Sequence, residues 1–541
     1  MNPTAAANAR ARNPVPERVD VAVIGAGLGG LVTAAQLARA GQRVAVFESH
    51  YVAGGCATMF TRRGEGGRYH FDVGLHYIGD CGPGGMIPRI LGELGIELAY
   101  EPLDPDGFDT LIFPDFRFKI PANRDLYRER LVDLFPAERK GIDAYVRLLT
   151  EVEYLVKRME RSPGGKPGLA MLWDVARHGR LGARYQGRTI GQFFDDHVRD
   201  PKLRAVMLGQ SGDYGLPPSK VSAMLHVGLA NHYFGGAYYP VGGGQVIADR
   251  LAAYIEAHGG SVHLRTPVER ITTRDGKATG VRVQPRNAPA VDVQARAVVS
   301  NADLKRTLLE LIDPADLPSE VAAKARGYEM AAALFMTFLG VRGDLRARGL
   351  TNTNYWSFDG YDFEQFYAAG EREGPAAIKG SYITSGSLKD PATPTHAPPG
   401  MSTVEIMAIV PGRMDIWGTR EAEVGGWAYK KSPAYLELKQ RIEDALIARF
   451  DRLCPGAAAD IVYRESATPV THARFTGASG GTGYGLAATP EQFLNNRPGY
   501  RGPLGGLYLC GASTRAGHGI VGAMMSGQAA AKRVVKDLSG R

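Results

Sequence analysis

Residues 19–48, VDVAVIGAGLGGLVTAAQLARAGQRVAVFE, constrain the fold more than any other stretch. An apolar strand runs into Gly25-Ala-Gly27-Leu-Gly29-Gly30, continues as a helix and returns as a second strand at Val44-Ala-Val-Phe47. This is a βαβ unit with a glycine turn at its first junction. Gly25 allows the tight turn, Gly27 lets main-chain N–H groups approach a pyrophosphate, and Gly30 permits close strand–helix packing with the helix N-terminus facing the phosphates. Glu48 ends the second strand, eighteen residues beyond Gly30, where a carboxylate accepts ribose hydroxyls. A GxGxxG alone says little, but strand, helix and acid in register make a dinucleotide cradle. The run 21–38 is uncharged for the length of a membrane span, but four glycines within six residues argue against one. The uncharged run 221–248, with six glycines, Pro240 and two histidines, makes an equally poor lipid-facing helix.

Later segments select FAD over NAD. SHYVAGGCAT adds Gly54-Gly55 soon after Glu48, a second diglycine with no purpose in a nicotinamide domain. Thr266–Ile271, with Gly276 and Val281–Val283, reads as a hairpin in which the main chain of Val268 holds adenine. Near the end, 505–535 reads as strand, glycine turn and helix. Gly511 and Ala512 offer donors to the ribityl–phosphate stretch, and Gly519, Ile520 and Val521 open a helix whose positive end points at the isoalloxazine. This resembles the closing motif of flavin amine oxidases and carotenoid desaturases. No second GxGxxG follows a strand, so electrons come from or leave to an external partner.

At 541 residues, more than one core is expected. The reading is α/β: a Rossmann-type FAD-binding domain of glutathione reductase or amine oxidase kind (19–95, 225–310 and 490–541) interleaved with an α+β substrate region (96–224 and 311–489), after a disordered tail over 1–18. Helical patterns cover Pro318–Arg326 and Ala434–Phe450, and strand patterns Ala331–Val341 and Thr403–Ile409. Cys56, Cys81, Cys454 and Cys510 form neither a disulfide framework nor a metal-ligand spacing, so a reducing, cytoplasmic setting without metal is expected. The net charge of +8 is mild. Between Lys157 and Arg188, however, eight basic residues face two acids, interleaved with Leu169, Leu172 and Trp173, as in a peripheral membrane-surface patch or an ordinary basic face. No nucleic-acid module surrounds it.

RYHFDVGLHYIG (68–79), GDYGLPPS (212–219), 226–245, SLKDPATPTHAPPG (387–400) and TGYGLAATPEQF (482–493) resemble, in that order, the retinol saturase branch of the phytoene desaturase and carotenoid isomerase superfamily. The resemblance implies FAD chemistry on carbon–carbon double bonds of a long conjugated isoprenoid. Two departures leave retinol itself open: a C-terminal motif closer to carotenoid desaturases and isomerases, and a missing leader segment. Saturation is the first expectation. Alternatives are a desaturase, a redox-neutral isomerase, a distant amine oxidase and a flavin-binding scaffold without turnover. Tyr233, Tyr238, Tyr239 and Tyr484 are the candidates for an aromatic floor against an apolar polyene. His76, Tyr77, Tyr214 and His518, each in a motif expected to line the flavin pocket, are the candidate proton donors or acceptors.

Overall fold

The computed structural model describes residues 14–160, 169–420 and 423–540. The apolar residues of Arg18–Ile24 are all buried, as a strand covered on both faces requires, and this strand lies inside a seven-stranded sheet. Val44–Phe47 and Val291–Ser300 flank it in parallel, Ser261–His263 extends one side, and Leu507–Leu509 pairs with the far end of Val291–Ser300. The hairpin Val268–Arg274 and Lys277–Val283 joins the same side in antiparallel sense.

Two helices lie together on this sheet, Leu28–Arg39 and Gly519–Leu538. Their main chains meet: a Cβ on Gly527 would fall 2.3 Å from the carbonyl oxygen of Gly29. Thr33 Oγ1 donates to that carbonyl at 2.8 Å and to the Gly527 carbonyl at 3.1 Å.

A second seven-stranded sheet runs in the order Ile461–Ala467, Ala333–Arg342, Met401–Val410, Gly380–Thr384, Asn354–Phe358, Asp109–Ile112 and Arg117–Ile120. It is antiparallel except where Asn354–Phe358 meets Asp109–Ile112. The helices Arg139–Glu160 and Ala223–Tyr233 share a core with Phe108, Leu111, Trp356 and Tyr382. Pro433–Leu453 builds a separate core through Ile442, Leu446 and Phe450. The fold is thus a Rossmann-type α/β unit interleaved with a mixed α and β region. Both patterned helices and both patterned strands form, as Ser319–Gly327, Pro433–Leu453, Ala333–Arg342 and Met401–Val410.

One expectation needs correction. The tail assigned to 1–18 ends sooner, because Val15 packs on the sheet core, the Glu17 carbonyl accepts the Gln294 N–H at 2.9 Å, and Arg18 begins a strand. Residues 1–13 lie outside the described residues, as do Arg161 and Lys166 of the basic segment. Among the described residues no helix is long and apolar enough to cross a membrane, and no group of His, Cys, Asp and Glu could hold a metal ion.

Candidate active site

A cavity of about 1230 Å³ runs between the two sheets. At one end the glycine turn forms its wall. Gly25 sits at φ +89, where a side chain is strained. Gly30 does not reach the cavity: it lies under the turn, where a Cβ would come 2.1 Å from the Gly25 carbonyl oxygen. Gly27 N-caps the helix without any side-chain hydrogen bond, so the first-turn N–H groups face the cavity that Gly27, Leu28 and Gly29 line. Gly54 and Gly55 fold over this turn, with the Gly54 N–H donating to the Ala26 carbonyl at 2.8 Å. Glu48 is held from behind by the Ala26 N–H (2.7 Å) and the His50 N–H (2.8 Å), and its carboxylate borders the cavity. Val268 lines the same end beside Pro267.

Asn301 was missed by sequence reasoning. Its side chain fills the space beneath the turn, where a Cβ on Gly27 or Gly29 would meet it at 2.7 or 2.5 Å. Its only signal is its place directly after the long strand Val291–Ser300.

The wall continues through Gly511 and Ala512 to the helix Gly519–Leu538, whose N-terminus is also uncapped by any side chain and whose Gly519, Ile520 and Val521 line the cavity. Buried Arg497 holds this loop. Its guanidinium donates to the carbonyls of Gln492 (2.9 Å), Ala512 (2.7 Å), Leu486 (2.6 Å) and Gly517. Two uncapped helix ends, a glycine turn too tight for side chains and an acid beside them fit FAD: phosphates at Gly27–Gly29, ribose at Glu48, and the ring system toward Gly519. When bound, it supplies hydride chemistry.

At the ring end stand most of the candidate acids and bases. His518 stacks on Tyr484, with ring centroids 5.6 Å apart, beside the main chain of Asp213. Burial and the charge of Arg497 push it down to about 3, and burial with Lys389 does the same to His76. Both imidazoles are therefore neutral. Tyr484 donates its hydroxyl to the Gly212 carbonyl at 2.6 Å. Tyr77 stacks on Tyr233 at 4.5 Å and sends its hydroxyl toward two carboxyl groups, the half-buried Asp213 at 2.6 Å and the buried Asp109 at 3.1 Å. Asp109 also accepts amide N–H bonds from Asn354 (2.9 Å) and Gln210 (2.8 Å).

Three candidates stand elsewhere. Tyr214 points away into a separate buried cluster, its hydroxyl 3.1 Å from His226 Nδ1. Tyr239 bonds Asp72 behind the site, and Tyr238 packs over Gly82 and Gly236. Asp213, one residue before Tyr214, was overlooked; its signal is that it is the lone acid between Asp200 and Asp249. Lys389, also overlooked, is buried behind the site and donates to the His76 carbonyl at 2.5 Å.

The profile of the family described as flavin containing amine oxidoreductase matches residues 28–417. The chain belongs to that family. It is a flavin oxidoreductase, and the dinucleotide cradle makes its cofactor FAD. An all-trans-retinol 13,14-reductase of Danio rerio is 30% identical over 516 residues, 92% of this chain and 83% of the relative. That of Homo sapiens is 30% identical over 87% of this chain and 78% of the relative. A chloroplastic prolycopene isomerase 2 of an Oncidium hybrid cultivar is 26% identical over 96% and 84%. These relatives put the chain in the retinol saturase-like branch of the phytoene desaturase and carotenoid isomerase superfamily. Among solved structures, an oxidoreductase of Methanosarcina mazei aligns with TM-score 0.61 at 19% identity over 94% of this chain and 99% of that one. Putrescine oxidase bound to putrescine aligns with TM-score 0.60 at 17% identity over 97% and 99%. These two share the fold.

Proposed function

We propose that this enzyme saturates one carbon–carbon double bond of a long apolar polyene, taking its electrons from an external donor. The observation that carries the reading is the shape of the cavity beyond the ring end. From Tyr77 and Tyr233 its wall runs over Leu225 and Leu229 to Val152 and Val156, and Val156, 49% exposed, marks a mouth between two helices. Each methylene buried along such a wall contributes roughly 0.8 kcal/mol, so a hydrocarbon chain binds there with few polar contacts. The retinol reductase relatives act on a substrate of this kind by their names.

Gly25, Gly27, Gly54, Gly55, Glu48 and Val268 would hold the AMP half of the cofactor, with Gly511, Ala512 and the turn Gly519–Val521 on the flavin half. Tyr233 and Tyr484 would flank the polyene at the ring. The test is anaerobic: enzyme carrying chemically reduced flavin is mixed with an all-trans polyene. Reoxidation of the flavin with a product heavier by two hydrogens is expected. A product of unchanged mass favours the second reading, isomerisation, which the prolycopene isomerase relatives support. Absence of any product refutes both.

The mouth adjoins the basic segment, which supports an enzyme working at a membrane surface. Trp173 is 62% exposed, with the Arg177 guanidinium 5.2 Å from its ring. Arg158, Arg184 and Arg188 are engaged with Asp174 and Asp196, so the free positive charge is smaller than the sequence suggests. Sedimentation with anionic vesicles, compared for the wild type and Trp173→Ala, tests this contact.

A further inference from the structure

A saturation adds hydride to one carbon and a proton to the other, so some group on the cavity wall must carry that proton at neutral pH. At the ring end the wall offers few. His76 and His518 are neutral, and burial pushes His472 down to about 4, so these rings bring no acidic proton. The hydroxyls of Tyr484 and Tyr382 donate to the Gly212 carbonyl and to Asn354 Oδ1 at 2.6 and 2.7 Å. Lys389 does not border the cavity and donates to the His76 carbonyl and to Thr384.

Asp213 does border it. Its carboxyl and that of Asp109 face each other through the single hydroxyl of Tyr77, and two like charges in so buried a place cannot both form. The hydrogen bonds decide which one ionises. Asp109 receives two amide N–H groups, which favour a carboxylate, whereas Asp213 has Tyr77 and the neighbouring Tyr233 alone. Asp213 is therefore the protonated member. Burial and the Asp109 charge raise it to about 8, while Asp109 reaches only about 6.

We propose that Asp213 is the catalytic acid of the saturation, with Tyr77 and Asp109 as positioning residues that keep its proton in place. This rests on the function proposed above. As one carbon of the double bond takes hydride from the reduced flavin, the other takes the Asp213 proton. The π bond breaks, two C–H bonds form, the flavin ends oxidised and Asp213 ends ionised. The Tyr77 hydroxyl then stabilises the new carboxylate until water reprotonates it as product leaves.

The experiment compares the wild type with Asp213→Asn, both loaded with flavin. In the variant, flavin content and the polyene-induced change in the flavin spectrum should persist, while the anaerobic reoxidation rate falls at least about a hundredfold. In the absence of substrate, the wild type should show a carboxylic-acid C=O infrared band that is lost in Asp213→Asn and fades in the wild type as pH rises through about 8. Reoxidation within about threefold of the wild type, or no such band at neutral pH, overturns the assignment while leaving the polyene reading intact. If no polyene reoxidises the wild type, that reading falls and this one with it. Should Asp213→Asn fail to hold flavin, the wild-type pH profile decides: a rate that declines above about pH 8 supports Asp213, and a level rate overturns it.

Discussion

Replacing Arg497 by Met is a direct test of how the flavin-facing loop is held. The side chain is buried and donates to four main-chain carbonyls, those of Leu486, Gln492, Ala512 and Gly517. Leaving four buried acceptors unpaired costs about 1–3 kcal/mol each. Against this, burial holds the guanidinium pKa down at about 10, from 12.5, a desolvation cost of about 3 kcal/mol that Met does not incur. The acceptors outweigh it, and the net loss is about 1–9 kcal/mol, with a central value near 5. Because two of the four carbonyls, those of Ala512 and Gly517, belong to 511–518, the loss falls first on that loop. We expect Arg497→Met to release flavin on gel filtration and to melt several degrees below the wild type. Arg497→Lys should rescue little, since one ammonium cannot reach carbonyls on both sides of a planar fork. An Arg497→Met protein that keeps its flavin and melts within about 2 °C of the wild type would refute the reasoning.

Four other outcomes follow from packing and charge. Gly30→Ala should lose flavin and about 1–3 kcal/mol or more of stability, since its Cβ would press on main chain at 2.1 Å. Gly92→Ala, at a helix position with nothing within 4 Å, should instead leave thermal stability unchanged or gain up to about 1 kcal/mol. Lys389→Met leaves the His76 carbonyl without its buried ammonium donor and should cost about 1–3 kcal/mol in denaturant melts. Finally, Asp213 holds its proton to about pH 8 in the fold, whereas an unfolded carboxyl ionises near 4, so unfolding releases a proton between these values. The stability that Asp213 contributes should therefore decline as pH rises from about 4 to about 8, so that the wild type loses a few kcal/mol relative to Asp213→Asn in melts taken across the range.

The cradle was legible because it is main-chain geometry written in local sequence. Only glycine fits at Gly25 and Gly30, and the strand–turn–helix period names the rest. The reacting end is assembled from afar: Tyr77 meets Asp213 across 136 positions, and Asp109 meets Asn354 across 245. No local pattern encodes such meetings. Tyr214 shows the limit at its sharpest, since it and Asp213 are neighbours in one tight turn yet face different interiors. Tyr238 and Tyr239 fail for a related reason. Alternation along the strand Ala237–Pro240 turns Tyr239 toward Asp72, where it serves a buried ionic cluster.

The crossing of Gly29 with Gly527 sets the timetable by which this protein matures. Residues 28–39 leave the ribosome early, but the helix that closes over them is translated almost five hundred residues later. Until 519–538 emerge, the nascent nucleotide cradle lacks one wall and its apolar stripe stays uncovered, open to chaperones and proteases. Capture of the flavin must therefore wait until 519–538 have been translated.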